Sequence, residues 1–434
     1  MINRVVITGL GVVAPNAIGV NNFKDALMKG KSGIQDYSEL KALGFRCELG
    51  AIPNLSAEEK DEFIKKYSLI KLKSTGIIYG CMAGLEAWHN AGLELVDSKK
   101  KIPDWASGCI IGTSSSGVEA IDYGMKLVNK GDVKKMGGRT AQQAMNSGVS
   151  AYLGGIIGLG NQVTTNSSAN STGTEAILMA YNRIKFGFAK RMVAGSSESD
   201  SPYIWGAYDS MKTADSKKFA LAQGYNKTPE LASCPLSNRT TGFVPGSGAG
   251  ALVLESLETA LERNATIYAE ILGGHTNSGG QRNGASMIVN DEIAMSRCIE
   301  KAIVESNISA KDIDLISGQL ASNALEITEI KSWAKALGRK GKKFPWINST
   351  ASMTGSCFSA SGSIETVASV LQLSNGFIHP SINAENLHPE IAELVDTSRI
   401  PKKAMQKPAI EIAAKLSYGL GDVNSCIILK KWNN

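Results

Sequence analysis

Short apolar, β-branched runs recur along the chain at strand length, and stretches with helical spacing separate them. Residues 5–13, 109–112, 163–165, 192–195 and 249–255 form one series. Residues 267–272, 313–317, 344–348, 410–414 and 426–430 form a second. Runs of this kind, bounded by Gly, Asn, Asp and Ser, predict buried strands. Helices are predicted over 71–91, 171–186, 294–305, 326–337 and 362–373. In the second of these, Ala176, Ile177, Ala180, Tyr181 and Ile184 share one face, and Gly187 follows as a natural stop. Strand–helix alternation in both parts predicts an α/β fold. Each part closes on a strand rich in Gly, Ala and Val, "GSGAGALVLES" and "GLGDVNSCIILKK". Two related halves follow, 1–256 and 257–434.

Composition narrows the classes. A 43% hydrophobic share with 20% charged residues is enough to bury a core across 434 residues and excludes a mostly disordered chain. Lys and Arg total 46 against 40 Asp and Glu, a net +6 spread along the sequence. Nucleic-acid binding needs a denser basic stripe, so no nucleic-acid partner is expected. The three lysines at 99–101 read as a solvated loop. No apolar run reaches the length of a membrane helix, and the first residues, "MINRVVITGLGVVAPN", read as a strand rather than a signal peptide. The expectation is a cytoplasmic protein with no membrane partner.

Seven cysteines lie tens of residues apart with no CxxC pair, so buried, reduced thiols are expected and no metal site. The four histidines are scattered as well. His89, His379 and His388 read as structural, and only His275, at a strand end in "GGHTNSGG", is kept as a candidate cavity residue.

Several segments, in order over the whole chain, resemble the β-ketoacyl-acyl-carrier-protein synthases, the condensing enzymes of the thiolase fold. They are "RVVITGLGVVAPN" with "GKSGI", "TTGFVPGSGAGALVLES", "NSTASMTGSCFSASGSIE" and "LSYGLGDVNSCIILKK". The resemblance implies a five-layered αβαβα architecture of two thiolase-like halves, assembled as a dimer through the strand near 162–166.

The chemistry of that family needs a cysteine at a helix N-terminus, where the dipole favours the thiolate. It also needs two histidines for decarboxylation and enolate stabilisation, and a lysine supporting them. Set against the family's motifs, this chain carries none of the four. In "NSTG", Asn170 stands in the cysteine's place, and an amide cannot hold an acyl group. In "ISGQLASN", Gln319 replaces the first histidine, with Ala321 and Asn323 where two threonines would bond the pantetheine arm. In "ASMTGS", Ala351 replaces the lysine and Ser356 the second histidine. Glu365, matching an acidic residue of the same network, is expected to have lost its lysine partner, and Leu420 stands for the gating phenylalanine.

Cysteine-less members of the family resemble the chain-length factors of type II polyketide and aryl-polyene systems. The expected function is therefore a catalytically inactive subunit that pairs with an active ketosynthase and shapes its acyl cavity. It would have no cofactor of its own and would meet the phosphopantetheine of an acyl-carrier protein only through the partner. Segments 114–118 and 140–152 would face the shared tunnel, with Val118 and Met145 as candidates to cap an apolar end. Asn170 is expected to bond the free N–H groups of the helix it precedes. The alternatives are a malonyl-acyl-carrier-protein decarboxylase, an atypical condensing enzyme, and a binding module outside this chemistry.

Overall fold

The strand β1 (Val5–Ala14) is buried at every position and sits in the middle of an eleven-stranded mixed sheet. The computed structural model describes residues 2–433 apart from 98, 100, 101, 213–219, 240 and 282–289. Part of the 99–101 lysine run, and Thr240 of "TTGFV", therefore lie outside the described residues.

After β1 come β2 (Ser107–Gly112), β3 (Val163–Thr164), β4 (Arg191–Glu198) and β5 (Gly248–Ser256). The second half supplies β6 (Ala269–Ser278), β7 (Leu315–Gly318), β8 (Trp346–Ser349), β9 (Ile412–Gly419) and β10 (Val423–Lys431). The first five run in the order β3-β2-β4-β5-β1 and the second five in the order β8-β7-β9-β10-β6. Each strand thus has a counterpart five places later. The pairing types repeat as well: β2 is parallel to β3 and β4, β7 to β8 and β9, and the remaining pairs within each half are antiparallel. The halves join where Val5–Ile7 of β1 pairs with β6. The two-residue strand Ala17–Ile18 completes the sheet beside β1.

Parallel neighbours need long crossovers, and the helices provide them. Helix α1 (Thr75–Asn90) covers the outer face of the first half. Between β2 and β3 run α2 (Val118–Asn129), α3 (Gly138–Ala144) and α4 (Gly148–Ile157), of which α4 packs with α1. Helices α6 (Glu292–Glu305) and α7 (Leu325–Leu337) cover the second half. Between the two halves lie α5 (Thr172–Lys185) and α8 (Ser361–Asn375), buried in one core with strands of both halves of the sheet. The layers are helix, sheet, helix pair, sheet, helix, the thiolase-like arrangement expected from the sequence.

Helix α8 is buried from Ser361 to Leu373, so it shows no polar stripe. Its hydroxyls bond back along the helix, Thr366 Oγ1 to the Gly362 carbonyl at 2.6 Å and Ser369 Oγ to the Glu365 carbonyl at 2.8 Å. That lets the hydroxyls of Thr366 and Ser369 enter the core with partners. It crosses α5 closely: a Cβ on Gly173 would stand 2.4 Å from the Ser363 nitrogen. All seven cysteines are buried thiols. Among the described residues no helix is long and apolar enough to cross a membrane.

Candidate functional site

Asn170 lies in a tight turn between β3 and α5. Ala169 takes a left-handed φ of 49°, and Thr172 Oγ1 ties the turn by accepting from the Ser168 N–H (2.8 Å) and donating to the Ala169 carbonyl (2.6 Å). The backbone N–H groups of Ser171 and Thr172 donate to the carbonyls of Ser168 and Ala169. The turn therefore satisfies these N–H groups by itself. The Asn170 amide does not cap the helix, contrary to expectation; its Nδ2 points across to Ser356 Oγ at 3.4 Å. The end of β9 closes on the same turn, since a Cβ on Gly419 would come within 2.8 Å of the Asn170 nitrogen. Leu420 follows in the β9–β10 hairpin, half-buried beside it.

Ser356 is held by the loop before β5. Its N–H donates to the Val244 carbonyl and its carbonyl accepts from the Gly246 N–H, both at 2.8 Å. Phe358, two residues on, has a φ of 46° and packs its ring against Tyr208 and Phe243, centroids 4.9 and 5.8 Å away. The structure thus brings Asn170 and Ser356 together.

Gln319 directly follows β7, and its amide lies along β9 like an extra rung of the ladder. Nε2 donates to the Tyr418 carbonyl (2.8 Å) and Oε1 accepts from the Tyr418 N–H (2.9 Å). Both ends of the amide are thereby used on backbone. Glu329 on α7 accepts from the N–H groups of Gln319 and Leu320 at 3.3 Å each. Ala321 is buried, and Asn323 Oδ1 accepts from the Leu325 N–H (2.9 Å), a local turn at the start of α7.

Ala351 is buried, its carbonyl accepting from Ser233 Oγ. Glu365 has not lost its lysine, which overturns the sequence expectation. Lys415 of β9, itself fully buried, places Nζ 2.7 Å from Glu365 Oε2. The cation comes from β9, two strands from β8 in the sheet, rather than from the segment after β8. Burial pushes the Glu365 carboxyl up to about 7, against the pull of Lys415. Burial likewise raises Glu329, again opposed by Lys415.

The four histidines sit elsewhere in the fold. His275 is no cavity residue: Nδ1 lies 2.8 Å from Glu305 Oε1 on the outer helix α6. His379 is fully buried, with Nδ1 bonded to the Pro380 carbonyl (2.9 Å) and Nε2 to Thr350 Oγ1 (3.2 Å), and burial lowers its pKa to about 4. His388 caps a short helix and His89 is exposed at the end of α1. No thiol substitutes for the missing nucleophile either, because Cys357 next to Ser356 is fully buried and its pKa is driven up by desolvation. Val118 is half-buried at the first position of α2, and Met145 is 54% exposed just past α3.

Lys415 and Glu198 are among the buried charges that escaped sequence reasoning. Lys415 left a trace as a lone lysine in the apolar run "AAKLSYG". Glu198, at the end of β4 in "SSESD", is buried and accepts hydroxyl protons from Ser114, Ser115 and Ser359. A carboxylate between serines reads as surface; only the strand before it hinted otherwise.

Residues 2–260 match the family model described as beta-ketoacyl synthase, N-terminal domain, and residues 268–385 match beta-ketoacyl synthase, C-terminal domain. The chain is 30% identical to 3-oxoacyl-[acyl-carrier-protein] synthase 2 of Vibrio harveyi over 431 residues, 99% of this chain and 98% of that one. Among solved structures it is similar to a type II polyketide-synthase acyl-carrier protein in complex with its ketosynthase bound to the hexaketide. That match has a TM-score of 0.85, 28% identity and complete coverage of both chains. The ishigamide ketosynthase/chain length factor shares the fold, with a TM-score of 0.83, 21% identity and complete coverage of both chains.

Proposed function

The chain belongs to the beta-ketoacyl synthase family, and within it we propose that it is a non-catalytic subunit that pairs with an active ketosynthase and shapes the acyl cavity of the pair. One observation carries the reading. Where the resemblance calls for a thiol facing a histidine, the Asn170 amide faces the Ser356 hydroxyl. Neither group is a base at neutral pH, and the serine hydroxyl, bonded to an amide rather than to a base, is not activated as a nucleophile. The amide at the other histidine position, Gln319, is spent on the Tyr418 backbone. Yet the turn, the strand ends and the buried charges that frame such a site are all in place, as a scaffold kept for its shape requires.

Pairing would use the edge strand β3 and residues 162–166, the route the resemblance implies. Val163 is 37% exposed there, and Trp105 and Phe188 stand 67% and 64% exposed beside it. Their carbonyls are both held by the side chain of Asn161, just before the strand. An unpaired apolar edge of this kind is a template for another chain. The partner would supply the cysteine and histidines, and the phosphopantetheine arm of an acyl-carrier protein would enter the partner's site alone. Val118 and Met145 would face the shared tunnel, so that Val118→Trp or Met145→Trp in an assembled pair shortens the product.

The test is incubation with acyl-acyl-carrier-protein thioesters followed by intact-mass measurement, alongside native mass of the chain mixed with a ketosynthase that carries the Cys–His–His set. The expected result is no adduct on this chain and a one-to-one pair. An acyl adduct on any of its residues overturns the reading.

A further inference from the structure

The fold gathers the chain's surplus of positive charge at one place. Residues 339–343, "RKGKK", and 396–403, "DTSRIPKK", hold seven Lys and Arg against the single acid Asp396, as large a surplus as the +6 of the whole chain. The first segment leads from α7 into β8, and the second is a surface turn lying against it. The Gly341 N–H donates to the Leu394 carbonyl (2.8 Å), with Gly341 at a φ of 57° that glycine adopts freely. Arg399 Nε donates to the Lys342 carbonyl (2.7 Å), and its guanidinium lies 5.2 Å from the centre of the Trp346 ring. Arg339 donates to the carbonyls of Lys343 (2.6 Å) and Ile313 (2.7 Å). The two guanidinia are near neighbours: burial lowers the pKa of Arg339, Asp314 opposes this, and Arg399 adds to it.

The carboxylates close by are already used. Asp396 Oδ1 accepts from the Ser398 N–H (2.9 Å), and Asp314 Oδ2 from the N–H groups of Glu411 (2.7 Å) and Ile412 (3.1 Å). Glu390 pairs with Lys331, and Glu393 acts on that same lysine. Lys340, Lys342, Lys343, Lys402 and Lys403 are exposed, and among the described residues none of their ammonium groups meets a carboxylate. Two arginines and a positive-φ glycine thus brace a set of mutually repelling ammonium groups at the surface.

β8 is the last strand of the sheet at the end away from β3. Residues 339–343 precede it and Ala351–Ser356 follow it, so the strand stands between the basic surface and the degenerate site. The chemistry of the surface selects its partner. A lipid surface calls for apolar anchors beside the lysines, and among the described residues 339–343 and 396–403 expose no large apolar side chain. Single-stranded nucleic acid calls for open aromatic faces and free arginine forks. Here Trp346 lies under Arg399, and both arginines are bonded to backbone. What remains is a row of point charges on flexible stems, suited to carboxylates on a mobile chain.

We propose that residues 339–343 and 396–403 form a docking surface for an acidic peptide segment of another protein. It lies at the edge of the sheet opposite the pairing strand, so that the acidic partner and the paired ketosynthase bind at the same time. Only that last placement rests on the proposed pairing; the surface itself does not.

Fluorescence anisotropy of a labelled polyglutamate peptide tests this on the full chain. About sixteen residues are long enough to span both segments when extended, and salt at about 50 mM leaves the attraction largely unscreened. Wild type should bind saturably, one peptide per chain. Lys340→Glu with Lys342→Glu and Lys343→Glu should weaken binding by about tenfold or more. The same three reversals at the exposed Lys31, Lys65 and Lys66 should change Kd by less than about twofold, since distant charges are screened. Should the first variant fail to fold, Lys402→Glu with Lys403→Glu decides by the same criterion. No saturable binding by wild type overturns the proposal, as does an equal loss in the two triple variants. Tighter binding of oligothymidylate or phosphatidylglycerol vesicles, lost in the first variant, would show a surface that reads phosphate and overturns it too. Adding a ketosynthase that carries the Cys–His–His set should leave the peptide Kd unchanged. Displacement of the peptide would overturn the placement opposite the pairing strand, whereas a chain that binds peptide but no ketosynthase refutes the pairing alone.

Discussion

Lys415 Nζ meets Glu365 Oε2 at 2.7 Å, with both side chains removed from water. A buried pair of this kind costs more to break than it contributes over a neutral replacement. Lys415→Met should lose about 3–5 kcal/mol in urea unfolding, because it strands a carboxylate. Lys415→Met with Glu365→Gln should recover much of that loss. A double variant no more stable than Lys415→Met would mean that the pair is not the source of the effect.

Restoring the nucleophile alone should not restore catalysis. In Asn170→Cys the thiol would stand at the start of α5, where the helix dipole favours the thiolate. The seven native cysteines are buried. Native iodoacetamide treatment should therefore add one label to the variant and none to wild type, read by intact mass. Decarboxylation of a malonyl thioester should stay at background, since Gln319 and Ser356 offer no base. Turnover by this single variant would show that another group supplies the acid–base step.

The apolar edge should be where affinity resides. Trp105→Ala or Phe188→Ala removes a large exposed ring next to β3, and aromatic anchors at interfaces often cost about 2 kcal/mol or more, close to thirtyfold in Kd. Sedimentation equilibrium of the pair measures this directly. Unchanged Kd in both variants would move the interface elsewhere.

His379 should make the fold acid-sensitive. Its folded pKa of about 4 lies below the ordinary 6.5, so the unfolded chain takes up a proton between those values and the native chain does not. Stability from this residue is full above pH 6.5 and falls toward pH 4, by about 3 kcal/mol in all. Glu119 and Glu365, raised to about 7, and Glu326, raised to about 8, act in the opposite sense. For them stability is full below pH 4.5 and is lost as pH rises through 7 to 8. The comparison that isolates the histidine is wild type against His379→Gln. The difference in unfolding free energy should shrink as pH drops from 6.5 to 4, and a constant difference would contradict the assignment.

The ten strands were legible because nearly all are short apolar runs covered on both faces, which leaves few ways to misread them. The turn at Asn170 was legible from "NSTG" followed by a helical stripe. Helix α2 was not, because Ile121, Met125 and Val128 are exposed on it and blur the period. Lys415 and Glu365 come from a strand and a helix about fifty residues apart, and no local pattern announces that a lysine missing after β8 is supplied by β9. Glu198 is polar among polar neighbours; its burial is decided by serines eighty residues before it and well over a hundred after.

The place of β1 in the sheet also bears on how the protein is made. Apart from the two residues Ala17–Ile18, its partners are β5 and β6, and Gly248 lies 234 residues beyond Ala14. At common synthesis rates of about 5–20 residues per second, this apolar strand leaves the ribosome roughly ten to fifty seconds before either neighbour exists. Over that interval the apolar segment depends on being shielded from its own kind, and synthesis that outpaces such shielding should favour inclusion bodies.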